Sequence, residues 1–453
     1  MAQRSPIRPR RTVVAALLIP ILGLAAPRAQ QAPLPITLDE AVRRAEAQAP
    51  RLAEARARES AAAASVTALR ALGLPTATTT AQYQRWNHIE EFRIPDGTGG
   101  TRVLFPDIPN TYRARAEVSM PVLSFGRVST NVRAAEADVH SAAADRRTIE
   151  AEVRLDAMRA YWTLATARET AEVLAQSLSR TDAWVGDVQA RLDAGFLPPN
   201  DLLTARAQRA RHQVQLLQAR QAAAMAELDL ARLIGVPAGT PIQPSSAVDA
   251  PLARATEMAA RPVAELVAYA LDHRTERGSL TARSDGLREA AKAALANLKP
   301  YVMALAAVEP SRPNARFVPP VDAWRTSWTV DVKMTWPIFD SGRSRAQAAG
   351  LRAQAAGVDA RRDDLEGLIG LEVRQRLLEI EFGRAAIAAS AEAVAAATEA
   401  RRVLDERFRA GVATSTEVLD AQVALLEAEL ERARLQAGLR LSEGRLLRAL
   451  GDR

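Results

Sequence analysis

The sequence of 453 residues contains no cysteine and only four histidines. The lack of cysteine excludes disulfides, thiolate metal sites, cysteine nucleophiles and a lipid-modified N-terminal cysteine. The histidines lie far apart, and no two of them have the spacing of three or four residues that places side chains on one helix face. They are His88, His140, His212 and His273. We therefore expect no metal site and no cofactor.

Sequence motifs of enzymes are also missing. The chain has no nucleophile elbow, no zinc-binding motif and no glycine-rich cofactor loop. The glycine-rich stretch Pro95–Gly100 lacks the Lys-Ser/Thr pair of a phosphate-binding loop, so we interpret it as an exposed hairpin loop. We expect that the protein is not an enzyme.

Beyond position 31 the sequence has no apolar run long enough to cross a membrane as a helix. Residues 1–31 combine a basic leader with an apolar core, Val13–Ala26, and a run of small and polar residues that suits cleavage. This core is clearly shorter than the roughly 20 residues that a membrane-spanning helix needs. We predict a secretory signal peptide, with an uncleaved anchor as the alternative.

The predicted mature chain has little net charge. Residues 1–31 hold five arginines and no acid, so their removal takes the formal charge from +7 to +2. A chain with so small an excess of positive charge does not attract polyanions, and we expect no nucleic-acid partner. A secreted chain without a helical anchor can still enter a membrane as strands of a closed barrel.

A long stretch of the sequence occurs twice. Proline, glycine, arginine and leucine positions repeat without a gap from Pro121 to Gly235 and from Pro337 to Gly451, at an offset of 216. Because this period is far above the 20–50 residues of solenoid repeats, the repeating unit is half of the molecule. We divide the mature chain into a first structural repeat, 32–245, and a second, 246–453.

Each repeat contains a long helical hairpin. Arg127 to about Leu192, and its twin Arg343 to about Arg409, lack proline and are rich in good helix formers. Such helices would be about 100 Å long. Gly195 and Gly411 suit the left-handed residue that ends a helix, and we predict returning helices over 199–234 and 416–450. Two further helices, 38–74 and 262–298, precede the copies and match each other at an offset of 225.

Each repeat also contains a predicted β-hairpin, about 76–120 in the first and about 301–336 in the second. Tyr112–Met120 and Trp328–Trp336 alternate apolar and polar residues over nine positions, as transmembrane strands do. Tyr112, Trp328 and Trp336 are placed where interfacial aromatic girdles occur. Four strands cannot close a barrel that keeps its edges from lipid, so the predicted strands require an oligomer.

The residues at the element junctions carry a family resemblance. They are the opening Leu38–Ala41 with Ala49–Leu52, the junctions Pro121–Arg127 and Pro337–Arg343, and the tip Arg407–Gly411 with Glu417–Ala421. In this order, and duplicated, they resemble the TolC-like outer-membrane efflux protein family. The resemblance implies a mainly α protein with a transmembrane β-barrel: a homotrimeric duct to which each chain contributes four strands and long paired helices.

The resemblance also implies a location and partners. The duct would lie in outer-membrane lipid, extend through the periplasm, and dock a periplasmic adaptor and an inner-membrane transporter. It would serve a tripartite efflux pump or a type I secretion system as a passive exit. Helices alone would also suit a periplasmic coiled-coil structural or adaptor protein, which is the alternative function.

The resemblance further assigns roles to the helical tips. Asp201, Glu417 and Asp420 would form an acidic constriction at the closed periplasmic end. The same acids would otherwise only cap helix starts, where the helix dipole favours carboxylates. Candidate adaptor contacts are the residues of the two turns, namely Arg191, Leu192, Gly195, Phe196, Arg407, Phe408, Gly411 and Val412. The alternative for these residues is a turn with no binding role.

Overall fold

The computed structural model describes residues 33–245 and 251–452. The predicted signal peptide lies outside the described residues. The first half consists of β1 (Leu34–Ile36), α1 (Leu38–Gln48), α2 (Pro50–Ala71), β2 (Thr76–Arg85), β3 (Phe92–Pro95), β4 (Thr101–Phe105), β5 (Asn110–Leu123), α3 (Arg127–Asp193) and α4 (Pro199–Ile234). The second half consists of β6 (Ile242–Pro244), α5 (Ala253–Ala259), α6 (Val263–His273), α7 (Thr275–Ala296), β7 (Tyr301–Arg312), β8 (Arg325–Thr335), α8 (Arg343–Arg409) and α9 (Ser415–Leu450).

The four long helices form two hairpins of matching dimensions. Helices α3 and α8 each have 67 residues, and α4 and α9 each have 36. At 1.5 Å per residue the longer pair extends about 100 Å. Helices α3 and α8 each start after a glycine in the left-handed conformation, namely Gly126 with φ of 89° and Gly342 with φ of 82°. A side chain at either glycine would be strained, so the sharp strand-to-helix turn depends on them.

The expectation of one continuous helix at the start of each half is wrong. The first helix breaks at Ala49, whose ψ of 113° is extended, because the following Pro50 disfavours a helical conformation in the residue before it. The second breaks at Arg274, where no proline is present. There the buried guanidinium donates to the carboxylates of Glu276 and Glu372 and to the Ala449 carbonyl oxygen, which fixes the break against α8 and α9.

The two predicted hairpins join into one antiparallel sheet with the strand order β2-β5-β7-β8. Its cross-strand pairs place apolar residues opposite apolar residues, for example Val118 opposite Ala306, and Ala306 opposite Val330. The sheet therefore has one apolar face and one polar face. On the polar face Arg115 forms ion pairs with Glu117 at 2.9 Å and with Glu309 at 3.3 Å.

The loop between β2 and β5 contains an additional hairpin that the sequence did not predict. Strands β3 and β4 pair antiparallel around a turn at Asp96, whose carboxylate accepts hydrogen bonds from the N–H groups of Thr98 and Gly100. Phe92 and Phe105 face each other across this hairpin with ring centroids 6.2 Å apart. The hairpin projects from the end of the sheet that is remote from the long helices.

The core lies around the middle of the long helices. One cluster packs α1, α3 and α4 with the short parallel pair β1–β6, and a second packs α5 and α6 with α8 and α9. Within the described ranges, no helix is both long and apolar enough to pass through a bilayer.

Two twin carboxylates accept backbone N–H groups that lie next to these clusters. Glu227 of α4 accepts the backbone N–H of Ile242, and its twin Glu443 of α9 accepts the N–H of Leu252 at 3.0 Å. Glu443 is buried and also receives the guanidinium of Arg440, itself buried, at 2.6 Å.

We expect Glu443→Ala to destabilise the protein because it leaves the buried Arg440 charge without its carboxylate. Breaking a buried pair on one side typically costs about 3–5 kcal/mol. The control is Glu431→Ala on the same helix, whose pairing with Arg434 is solvent-exposed and should contribute less than about 1 kcal/mol. Thermal denaturation followed by circular dichroism should show a clearly lower midpoint for Glu443→Ala only; equal midpoints would contradict this role.

Candidate functional site

Both helical hairpins end in the same turn geometry. At the α3–α4 tip the N–H of Gly195 donates to the Leu192 carbonyl at 2.9 Å, and that of Phe196 donates to the Arg191 carbonyl at 2.9 Å. At the α8–α9 tip the N–H groups of Gly411 and Val412 donate to the twin carbonyls. Gly195 and Gly411 have φ of 77° and 76°, the left-handed conformation that this helix ending requires. The two tips are thus built alike.

Arg191 ties the two tips to each other. Its guanidinium donates to the carbonyl oxygens of Phe408 at 3.1 Å and Arg409 at 3.3 Å, and it lies 4.6 Å from the centroid of the Phe408 ring. These carbonyls belong to the last turn of α8, where the helix dipole is negative and favours a cation. Its twin, Arg407, is exposed at the other tip.

The predicted contact residues differ in how much surface they present. Phe408 is only 3% exposed, and its ring packs against Trp184 with centroids 4.5 Å apart. Phe408 therefore supports the tip from within and offers little surface of its own. Phe196 and Val412, which are 79% and 63% exposed, are the apolar side chains that project from the two turns. Leu192 is half-buried beside them, and Gly195 and Gly411 are exposed.

The predicted acids occupy the starts of the two returning helices. Glu417 forms a capping box with Thr414: its carboxylate accepts the Thr414 N–H at 2.6 Å and hydroxyl at 2.9 Å, while its own N–H donates to that hydroxyl oxygen. These bonds lower the pKa of Glu417, the backbone N–H having the larger effect. Asp201 lies half-buried in the first turn of α4, and Asp420 is exposed on α9.

A charged cleft between α3, α8 and α9 was not predicted. It has a volume of about 550 Å³, and Trp184 and Phe408 contribute its aromatic wall. Its charged lining residues are Arg180, Asp187, Arg191, Arg401, Asp405 and Arg409. Burial raises the pKa of Asp405; Arg401 and Arg409 oppose this shift, and the nearby Asp187 adds to it. The helical pattern identifies contacts within one hairpin, whereas this cleft forms between two hairpins, so no sequence signal marks it.

The apolar face of the sheet is exposed in the single chain. Trp328 is 71% exposed, and the neighbouring apolar residues of β8 point to the same side. The Tyr112 ring lies between those of Tyr83 and Trp324 in tilted contacts, with centroid distances of 5.1 and 6.1 Å. At the opposite end of the sheet, the indole N–H of Trp336 donates to the Leu298 carbonyl oxygen. Aromatic residues therefore lie at both ends of this face, and Tyr83 and Trp324 extend the predicted set.

An apolar sheet face beside helices of about 100 Å defines a class of protein: one that enters lipid by β-strands and extends far beyond it by helices. The outer membrane efflux protein family matches residues 41–236 and 267–452. The chain belongs to that family. It is an outer-membrane protein that extends into the periplasm and acts as an efflux duct.

Individual relatives agree with this assignment. Protein CyaE of Bordetella pertussis is 26% identical over 330 residues, which cover 72% of this chain and 68% of CyaE. The outer-membrane channel OprN has a TM-score of 0.74 at 20% identity, covering 92% of this chain and 90% of OprN. The outer membrane protein VceC from Vibrio cholerae has a TM-score of 0.75 at 19% identity, covering 92% and 96%. These structures share the fold.

We expect Arg191→Ala to loosen the α8–α9 tip because it removes two charge-assisted bonds to the end of α8. Each such bond is worth roughly 1.5–3 kcal/mol, so the loss of both should make opening at least tenfold faster. Hydrogen exchange at the amides of residues 410–412, read by mass spectrometry, should accelerate accordingly. Arg402→Ala is the control, since Arg402 pairs only with Glu399 and Glu406 of its own helix in the described contacts. Equal exchange in both variants would show that the bonds do not hold the tip.

Proposed function

We propose that three copies of this chain form the outer-membrane exit duct of a tripartite efflux pump or a type I secretion system. Substrates would pass through it from the periplasm, or from an inner-membrane transporter, to the exterior without chemical change. The observation that carries the proposal is that the described part of the chain has two open edges, which run from the sheet to the helical tips.

The open edges follow from the order of neighbours. In the sheet, β2 and β8 are the outer strands; beside the sheet, the helix order is α2-α3-α7-α8; towards the tips it is α4-α3-α9-α8. One edge therefore consists of β2, α2 and α4, and the other of β8 and α8. In lipid an unpaired strand edge is prohibitively costly, so neighbouring chains must supply the missing partners.

The strand directions allow such pairing. The sheet is antiparallel throughout and has an even number of strands, so β8 and β2 run in opposite directions. The β8 edge of one chain can therefore meet the β2 edge of the next as a further antiparallel pair. A contact between two different edges is heterologous, and it forms a closed ring when the rotation between chains closes. Three chains would give a barrel of twelve strands, as the family resemblance implies.

The helices at the open edges carry unpartnered apolar seams. Leu203, Val214 and Leu217 of α4 are exposed, and so are Leu371, Leu378 and Phe382 of α8. Within each set the spacings are three, four, seven or eleven residues, which places the side chains on one helix face. Packing each seam against a neighbouring chain would bury it and form the wall of a helical duct.

The tips would carry the partner contacts. We propose that Arg191, Leu192, Gly195 and Phe196, with Arg407, Phe408, Gly411 and Val412, meet a periplasmic adaptor. The projecting Phe196 and Val412 supply apolar surface, and the buried Phe408 sets the shape of its turn. The polar face of the sheet, with Arg113, Arg115 and Glu117, would line the water-filled outer part of the duct. No cofactor and no nucleic acid takes part in this function, and the protein is not an enzyme.

A periplasmic coiled-coil structural or adaptor protein is the alternative. It leaves the apolar face of the sheet unexplained, because such a face would be exposed to water. The two functions differ in three measurements on the full-length protein. A duct fractionates with outer membranes, has the mass of three chains in detergent, and conducts ions in planar bilayers. A monomer without conductance would overturn the proposal.

We expect Asp420→Asn to reduce cation preference, because we propose that Asp201, Glu417 and Asp420 form an acidic ring at the narrow end. The variant removes three charges from the trimer, and each charge about 7 Å from a passing ion contributes about 0.6 kcal/mol in water. Together they amount to about 1.8 kcal/mol, or roughly twentyfold in permeability ratio. Reversal potentials in a salt gradient measure that ratio. Glu427→Gln, seven residues further along α9, is the control and should leave the ratio unchanged. An equal change in both variants, or in neither, would contradict a ring at the tip.

A further inference from the structure

One histidine of the chain is buried inside the first helical hairpin. His212 of α4 is 1% exposed, whereas His88, His140 and His273, which also belong to the described residues, are exposed. The ordinary pKa of histidine lies close to neutral, so its surroundings decide whether the ring carries a charge. At 1.5 Å per residue, His212 lies about 20 Å from the start of α4 at Pro199. It therefore lies behind the tip, in the packed part of the hairpin.

The hydrogen bonds of this ring fit its neutral form. The amide nitrogen of Gln208 donates to Nε2 of His212 at 2.9 Å, and the amide oxygen of Gln208 accepts from Arg211 at 3.4 Å. Because Nε2 accepts, the single ring proton is on Nδ1, which donates to the Thr181 hydroxyl at 2.9 Å. That hydroxyl donates in turn to the Ser177 carbonyl oxygen at 2.9 Å. Every bond in this series has one donor and one acceptor while the ring is neutral.

Protonation of the ring would disturb this series of bonds. A proton on Nε2 would face the amide nitrogen of Gln208, so two donors would meet at 2.9 Å. Rotation of the amide would restore that bond but turn its nitrogen towards the guanidinium of Arg211, which is also a donor. The charge itself would be buried, which is costly unless a group of opposite charge pairs with it. Protonation therefore weakens the packing of α3 on α4.

The charged groups around the ring offer it no compensation. Among the described residues, the histidines within ion-pair distance of a carboxylate are His88 and His273. From α3 the ring experiences the positive charge of Arg180, and that arginine is paired with Glu429 of α9 at 2.7 Å. Burial, and after it Arg180, lower the pKa of His212. The ring is thus neutral near pH 7 and becomes charged only in acid.

The second hairpin has no counterpart to the histidine cluster, by which we mean Ser177, Thr181, Gln208 and His212. At the offset of 216 all four twins are alanines, namely Ala393, Ala397, Ala424 and Ala428. Helices α8 and α9 therefore carry no titratable side chain at these positions. The two hairpins have matching lengths and turn geometry, but only the first has a buried group that acid can charge there.

We propose that the histidine cluster is an acid-sensitive contact: it holds α3 on α4 at neutral pH and releases them when His212 is protonated, while the second hairpin stays closed. The stability that the neutral ring contributes is present in full above the ordinary histidine pKa of about 6.5. It is lost as the pH falls through the lower pKa of the buried ring. In a duct of three chains, acid would loosen three of the six tips, those that carry Arg191 and Phe196. This consequence for transport rests on the proposed function.

Hydrogen exchange of the full-length protein in detergent, at about pH 7.5 and about pH 5.5 and corrected for intrinsic rates, measures the opening of both hairpins at once. In the unmodified protein the amides of residues 205–216 should lose protection by at least about fivefold in acid. The twin segment, residues 421–432, should keep its protection. In His212→Asn, which retains a donor for Thr181 but cannot be charged, both segments should stay protected at both pH values.

Gln208→Glu is a second variant that reaches the same result by the opposite route. A carboxylate at this position accepts from a protonated Nε2 and pairs with its charge, so residues 205–216 should again stay protected in acid. The matched control is Ala424→Glu at the twin position, which should leave the acid response of residues 205–216 unchanged. No loss of protection in the unmodified protein, equal loss in both hairpins, or loss in either His212→Asn or Gln208→Glu would overturn the proposal.

Conductance in planar bilayers distinguishes failure of this contact from failure of the duct. The unmodified channel should conduct more at about pH 5.5 than at about pH 7.5, and His212→Asn should remove that difference. An acid response that His212→Asn leaves intact would overturn the consequence for transport. Absence of conductance at both pH values would reject the duct, whereas the exchange of residues 205–216 would still decide whether His212 controls the hairpin.

Discussion

The need to pair every backbone N–H and C=O group of strands in lipid is the constraint on which the rest of this structure depends. A four-stranded sheet has two edges, and residues 33–245 and 251–452 supply a partner strand for neither of them. The helices follow the same arrangement, because the helix order beside the sheet and towards the tips leaves open the two sides that continue the β2 and β8 edges. Assembly is therefore part of the architecture and cannot be treated as an addition to a finished monomer.

The sequence predicted the long helices and the strands well. The features that it did not predict differ from these for physical reasons. The long helices were predictable because proline is absent over their whole length and glycine marks their ends, as at Gly195 and Gly411. The strands were predictable where one face is apolar without interruption, as in β8. The helix break at Arg274 was not predictable, because it is fixed by Glu276, Glu372 and a carbonyl of α9, and the last two lie far away in sequence.

The residues at the helical tips divide in the same way. Glycine and its hydrogen bonds define each tip locally, so the turns at 195 and 411 could be predicted. The tie between Arg191 and the Phe408 carbonyl joins two residues from different halves of the chain, and only the fold brings them together. Glu417 has a local role that the sequence did suggest, the capping of α9 with Thr414, and this role is compatible with a place in an acidic ring. A residue can hold its helix in position and still present its charge to the axis of the duct.

The small hairpin β3–β4 breaks the likeness between the two halves. It occurs between β2 and β5, and the shorter connection between β7 and β8 has no counterpart to it among the described residues. In a ring of three chains the tips would approach sixfold symmetry, whereas the outer mouth would keep only threefold symmetry. Three aromatic hairpins would alternate there with three shorter loops. A molecule that binds this protein from outside the cell, such as an antibody or a phage, would find three equivalent sites. The periplasmic end would present almost six.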